Sequence, residues 1–295
     1  MKILIFGCGV IGSIFATRFS EAGFNVTVYA RGNRLMELRQ RGLLYKSRNQ
    51  IKKCNVTVTD NLEGIYDFVF VTVKNEQVNG ALEEVKSIKC NNVVTMVNNP
   101  LGYDEWNNSL GEGRLIPAFP GAGGVIVDGI LDADLTPAII QKTTFGEING
   151  RYSKRIEVLE QIFIRSKVPC EVCRHMRDWQ LCHLAMVVPM ADAIYRDGGD
   201  NYTAGNNCKV MLETANEIKR NLKILKKYNY HIMPGKMNLF IAMPPEVLAA
   251  ALSKIFASPF GERFIYGHAN KAKTEMMTLR NSYYQIMKNM KVGRK

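Results

Sequence analysis

The chain of 295 residues predicts an α/β fold, a doubly wound sheet followed by an all-helical C-terminal domain. Three observations carry this expectation. Short apolar runs alternate with amphipathic segments over about the first hundred residues, as parallel strands joined by crossover helices do. Three glycines stand at the first strand-to-helix junction. Beyond about Gly150 the apolar residues recur almost wholly at helical spacing. The expected division is 1–165 for a nucleotide-binding domain and 166–295 for a helical domain serving substrate and dimerisation.

In order, KILIFG (2–7) is an apolar strand, and Ile11 to Glu21 is a helix that Gly23 closes. FNVTVYA (24–30) is a second strand, and RLMELRQRG (34–42) a helix stopping at glycine. YDFVFVTVK (66–74) is a buried strand, NEQVNGALEEVKSI (75–88) a helix and NVVTMVNN (92–99) another buried strand. From about residue 113, RLIPAF, GGVIVDGIL, TPAIIQK and TTFGEI read as strands without helices between them, an antiparallel extension of the same sheet. Helices are then expected at RIEVLEQIFIRS, around Trp179, over roughly 206–228, at 245–257 and at 262–290.

Composition narrows the function classes. At 46% hydrophobic and 22% charged, the chain can bury a real core. The N-terminus MKILIFGCGV lacks the layout of a signal peptide, and no run of about 18 apolar residues suggests a membrane span. Seven scattered cysteines fit reduced thiols in a cytoplasm, which is the expected location. Cys170 and Cys173 have metal-binding spacing, but no second pair completes a set, so no metal site is expected. The net charge of +12 is spread out, apart from Lys219-Arg220…Lys223…Lys226-Lys227 and the terminal KVGRK. A solvated helix face and a frayed end explain these, and no nucleic-acid partner is expected. The apolar MVVPMADAIY segment suits burial within a monomer or against a second subunit, so a homodimer stays open.

The stretch GCGVIG places Gly7, Gly9 and Gly12 in G-x-G-x-x-G, directly after a strand and opening a helix. Gly7 permits the tight turn, Gly9 the approach of a pyrophosphate, and Gly12 close packing of helix on strand. The helix N-terminus offers N–H groups and a partial positive charge to that pyrophosphate. Residues Gly7, Cys8, Gly9, Val10, Ile11 and Gly12 are therefore the expected cofactor loop of a Rossmann-type domain. The second strand ends Tyr29-Ala30-Arg31, with Asn33 and Arg34 close behind. A carboxylate would suit NAD there; arginine suits the 2′-phosphate of NADP(H), the expected cofactor, unless Arg31 is simply solvated. The same arginine disfavours a flavin. Lys74 ends a parallel strand, where such sheets bind ligands, or else it is a surface lysine at a helix start.

The order GCGVIG, YARGNRLMELRQRGL, FVTVKNEQ and NNPLGYDE resembles the ketopantoate reductase family, closely over the first 110 residues and loosely beyond. That resemblance implies an oxidoreductase with its active site in a cleft between a Rossmann-type and a helical domain. The implied reaction is NADPH-dependent reduction of a 2-oxo acid, ketopantoate to pantoate, on the route to pantothenate and coenzyme A. It assigns the 2′-phosphate arginine to Arg31, the lysine near nicotinamide and substrate to Lys74, and the cleft asparagine to Asn99. The family's Gln-Asn-Gly is here Asn98-Asn99-Pro100.

One departure is sharp. The family's Trp-x-Lys-x-x-x-Asn supplies the proton-donating lysine. With Trp179 in register, that lysine falls on Leu181 and the asparagine on Ala185; matched on Pro189, they fall on Gln180 and Leu184. Neither register gives a lysine. The run Asp178, Trp179, His183, Pro189 and the segment FGERFIYGHANKAKTEMMTL resemble a divergent branch of the family instead. A reduced carbonyl needs a proton donor or cation in reach. His183 is the candidate, unless it is a packed core histidine, and Lys74 is the alternative. His268, Lys271 and Glu275 share a helical face that either closes the site or is plain surface. Two functions follow: a 2-oxo acid reductase, or an NADP(H)-binding sensor that has lost catalysis and acts through a partner.

Overall fold

The computed structural model describes residues 1–48, 50–267 and 273–292. The chain divides into two compact units, Met1–Asn98 with Gly102–Met176, and Asn99–Leu101 with Arg177–Lys295. The α/β class stands: among the described residues, one unit holds every strand and the other is helical.

The first unit opens with β1 (Lys2–Phe6), α1 (Val10–Glu21), β2 (Asn25–Tyr29) and α2 (Gly32–Arg41). It continues through β3 (Leu43–Ser47), β4 (Gln50–Cys54), β5 (Thr57–Thr59) and β6 (Phe68–Val71), then a 3-10 turn over Asn75–Gln77. Next come α3 (Val78–Lys86), β7 (Val93–Met96), α4 (Asp104–Leu110), β8 (Leu115–Phe119), β9 (Ala122–Val127) and β10 (Ile130–Leu135). It closes with β11 (Thr143–Phe145), α5 (Lys154–Arg165) and β12 (Cys170–Val172). The main sheet runs β12-β11-β8-β7-β6-β1-β2-β5. From β5 to β8 all pairings are parallel. The chain leaves β1 first towards β2 and later returns to its other side at β6, which puts the switch point beside β1.

Strands β6 and β7 are buried at every position, as expected for a parallel sheet covered on both faces. The core is strongly aromatic. Phe19 of α1 lies 4.9 Å from Phe70 of β6, and Phe163 of α5 lies 5.1 Å from Phe145 of β11, ring centre to ring centre. Phe19 and Phe163 also meet at 6.0 Å, so α1 and α5 share one layer.

The segments after residue 113 depart from the expected extension. β8 pairs parallel to β7, and only β11 is antiparallel to β8. GGVIVDGIL folds as a hairpin, β9 and β10, in a separate sheet ordered β4-β3-β10-β9 that packs on α1. TPAIIQK is a turn, with Ile140 N–H and Gln141 N–H both donating to Pro137 O. Alternation identifies a strand but does not name its partner. The division also falls after Met176 rather than at 165/166, because β12 pairs with β11 and so belongs to the sheet.

The second unit comprises α6 (Met176–Arg196), α7 (Asn201–Asn206), α8 (Cys208–Lys227), α9 (Met237–Ala242) and α10 (Pro245–Phe256), with a π-helical turn at Gly261–Tyr266 and α11 (Lys273–Val292). Its core is built from Leu181, Leu184 and Val188 of α6, Ile218 and Leu222 of α8, Leu252 of α10 and Tyr283 of α11. The expected helix over 262–290 is thus a π-turn followed by α11, and His268 and Lys271 lie outside the described residues. Lys219 is a second departure, for it does not join the solvated face of α8. It is buried, and its ammonium donates to Phe240 O (3.1 Å), Ile241 O (2.9 Å) and Met243 O. These carbonyls lie at the C-terminal end of α9, where intrahelical partners run out. Among the described residues no helix is long and apolar enough to cross a membrane.

Candidate functional site

The glycine loop leaves β1 at the switch point. Gly7 has φ +102°, a backbone that side chains disfavour, and a Cβ there would lie 2.8 Å from Val73. A Cβ on Gly12 would stand 1.9 Å from Gly7 O and 2.6 Å from Thr72 Oγ1, so α1 and β1 approach as closely as they do only through glycine. Gly9 differs: a Cβ there meets nothing within 4 Å. The loop is therefore tight beneath Gly7 and Gly12 and open at Gly9, the N-cap of α1. No acidic residue sits in the first turn of α1. Room at Gly9 beside a positive helix end fits a dinucleotide's pyrophosphate.

Cys8, Val10 and Ile11 complete the loop. Burial pushes the Cys8 thiol up against the lowering effects of Ser13 and Arg34, so it stays protonated at neutral pH. Its sulfur lies 3.3 Å from Ser13 Oγ. Val10 and Ile11 are partly buried and pack against the core of the first unit.

The sequence singled out Arg31, and the structure adds Arg34. Arg34 Nε donates to Cys8 O at 2.9 Å, Nη2 to Ser13 Oγ at 3.3 Å, and Nη1 pairs with Glu37. Its guanidinium is spent on holding the loop. Arg31 is 61% exposed at its side chain and donates from Nη1 to Glu84 Oε1 at 2.8 Å. Spacing marked Arg31 alone; only tertiary contacts show that Arg34 is the one that holds the loop.

At the end of β6, Thr72 and Val73 abut Gly7, and Lys74 follows them, exposed. Asn75 Nδ2 donates to Asn98 O at 2.7 Å, joining the ends of β6 and β7. The buried Asn98 Oδ1 has no hydrogen-bond donor within reach among the described residues.

Asn99 and His183 belong to the second unit. The Asn99 N–H donates to Gln180 Oε1 at 2.8 Å, and Gln180 on α6 is fully buried. One turn further, the His183 ring stacks on Trp179 at 5.3 Å with planes 8° apart, and it too is buried. Asp178 precedes them and accepts from the His231 N–H at 2.9 Å, with His231 Nδ1 2.8 Å away. The structure thus brings Asn99 together with Gln180, and His183 with Trp179. Lys74 and the glycine loop lie in the other unit. Both slots that the family register gives to a lysine, Gln180 and Leu181, hold fully buried uncharged side chains.

The comparisons with known proteins point to one family. The family described as Ketopantoate reductase PanE/ApbA matches residues 3–117, which contain the glycine loop, Arg31, Lys74 and Asn99. A 2-dehydropantoate 2-reductase of Pyrococcus horikoshii is 27% identical over 186 residues, 61% of this chain and 58% of that protein. The match therefore spans less than two thirds of the relative's own length. A solved 2-dehydropantoate 2-reductase of Geobacter metallireducens superposes with a TM-score of 0.67 at 16% identity, covering 97% of this chain and 100% of that one. D-mandelate dehydrogenase, solved with NADH and anilino(oxo)acetate, also gives a TM-score of 0.67, at 12% identity and 99% and 100% coverage. At these identities the structural likeness is one of fold. The expected resemblance stands: the chain matches the model of the ketopantoate reductase family over residues 3–117, and its fold is similar to that of solved 2-dehydropantoate 2-reductases.

Proposed function

We propose that this protein is an NADPH-dependent reductase that turns a 2-oxo acid, ketopantoate or a close analogue, into the 2-hydroxy acid. The observation that supports it most is the glycine loop, tight at Gly7 and Gly12, open at Gly9, with Arg31 exposed beyond the next strand. Gly9 and the first turn of α1 would hold the pyrophosphate, and Arg31 the 2′-phosphate. When bound, the cofactor supplies hydride to the substrate carbonyl carbon. Lys74 offers a cation to the substrate carboxylate or the developing alkoxide, and Asn99 offers amide hydrogen bonds to the substrate. Its backbone is held by Gln180. His183, or Lys74 in its place, gives the proton that completes the hydroxyl. Relatives that bear the name 2-dehydropantoate 2-reductase support the substrate class, and a place in pantothenate synthesis is part of this reading.

The experiment follows NADPH oxidation when the pure protein meets ketopantoate and a panel of other 2-oxo acids, with NADH as control. Consumption with ketopantoate supports the reading in full, and consumption with another 2-oxo acid alone keeps the reaction and changes the substrate. A second reading, a cofactor-binding sensor without catalysis, is favoured by one observation, the uncharged Gln180 and Leu181 in the lysine slots. Binding of NADPH with no acid consumed would carry that reading and sink the reductase.

A further inference from the structure

Strand β2 ends without the carboxylate that marks an NAD site, yet a carboxylate reaches that place from elsewhere. Glu84, on α3, accepts from Arg31 Nη1 at 2.8 Å through Oε1 and from the Tyr29 hydroxyl at 3.1 Å through Oε2. Arg31 also lies over the Tyr29 ring, its Cζ 5.8 Å from the centroid. Tyr29 is itself buried and stacked on Phe6 of β1 at 4.6 Å, so its hydroxyl gives Glu84 a fixed anchor. The end of β2 therefore presents both signs of charge, an arginine from its own strand end and a glutamate from 53 residues further on.

We propose that Glu84 is a specificity-determining residue that tempers the preference for NADP(H) over NAD(H); this rests on the reading of Arg31 as the 2′-phosphate ligand. A phosphate carrying nearly two negative charges must draw Arg31 away from Glu84 or share it, and it meets repulsion from the carboxylate in either case. A ribose 2′-hydroxyl does neither, and it is an ordinary partner for a carboxylate. Glu84 thus lowers the advantage of the phosphorylated cofactor and leaves the unphosphorylated one nearly untouched.

The test compares affinity for 2′,5′-ADP with that for 5′-AMP by calorimetry at fixed salt, a ratio that isolates the 2′-phosphate and needs no turnover. In Glu84→Gln, which keeps the shape and a hydrogen-bond acceptor for Tyr29, the ratio should rise about threefold or more. A ratio that stays level or falls overturns the proposal, since Glu84 would then be idle or would hold Arg31 in its binding position. Arg31→Ala tests the underlying reading separately. If the ratio is unchanged in Arg31→Ala, the NADP(H) assignment itself fails. If it collapses there while Glu84→Gln leaves it level, only the role of Glu84 is lost.

Discussion

The Thr72 hydroxyl donates to the Gly7 carbonyl oxygen at 2.6 Å, so the end of β6 is tied to the first residue of the glycine loop. The same hydroxyl lies 3.3 Å from Phe6 O. Thr72→Val keeps the shape and removes the donor. The expected cost is about 1 kcal/mol of stability, because Gly7 O is left without this partner. We predict a fall in NADPH affinity beyond what the stability loss explains, read by cofactor titration beside a urea melt. Unchanged affinity would show that the bond shapes the fold without placing the loop for a ligand.

Gly9 and Gly12 should separate folding from binding. Alanine at Gly12 drives a methyl into the Gly7 carbonyl and the Thr72 hydroxyl, where backbone must move. We expect a loss of about 1–3 kcal/mol together with loss of cofactor binding. Alanine at Gly9 meets nothing, and its φ of −76° and ψ of −160° suit any residue. Stability should then stay within about 0.5 kcal/mol of the parent, while the methyl occupies the space a pyrophosphate needs. Full NADPH affinity in Gly9→Ala would place the pyrophosphate elsewhere.

The loop before α5 contains a pH-dependent element. Glu147 is buried and takes a bidentate grip from Arg155, Nε to Oε1 at 2.7 Å and Nη2 to Oε2 at 2.5 Å, with Ser153 adding 2.5 Å to Oε1. Burial pushes the carboxyl up, but the Arg155 and Ser153 hydrogen bonds and the Arg155 charge together hold it below its ordinary value. A depressed carboxyl contributes stability above the unfolded value, about 4.3, and loses it as pH falls through the folded value. Glu147→Gln should cost about 1–3 kcal/mol at pH 7, since the half-buried Arg155 loses its partner charge. The difference between parent and variant should shrink as urea midpoints are taken below the ordinary glutamate range. A difference independent of pH would mean that Glu147 acts by shape alone.

What could be read from the sequence was local. Gly7 and Gly12 reveal their tasks through spacing, because the turn and the close packing both happen within one strand-helix junction. The order of β1, α1, β2 and β6 is equally local. Partners far along the chain were not legible. The alternation in GGVIVDGIL is the same whichever sheet receives it, and only contact with β3 and α1 decides. Gln180 stood in the sequence only as a slot where a lysine was missing, and its bond to the Asn99 N–H spans 81 residues. The pairing of Arg31 with Glu84 is hidden for the same reason.

The proton donor is the sharpest remaining test, and burial tells its two candidates apart. Lys74 is exposed, so Lys74→Ala should leave thermal stability near that of the parent. Any fall in kcat/KM there reports chemistry or binding, and a group that stabilises the alkoxide or gives its proton is worth about 10²–10⁴-fold. His183 is buried face to face with Trp179, so His183→Ala also opens a gap and should cost about 1–3 kcal/mol. Its rate must therefore be read beside His183→Gln, which refills part of the space and keeps a hydrogen bond but has no proton to give. A donor role predicts that both His183 variants lose rate, while a packing role predicts that glutamine restores rate and stability together. If Lys74→Ala and His183→Gln both turn over at the parent rate, neither residue is the acid, and the assignment of both is wrong.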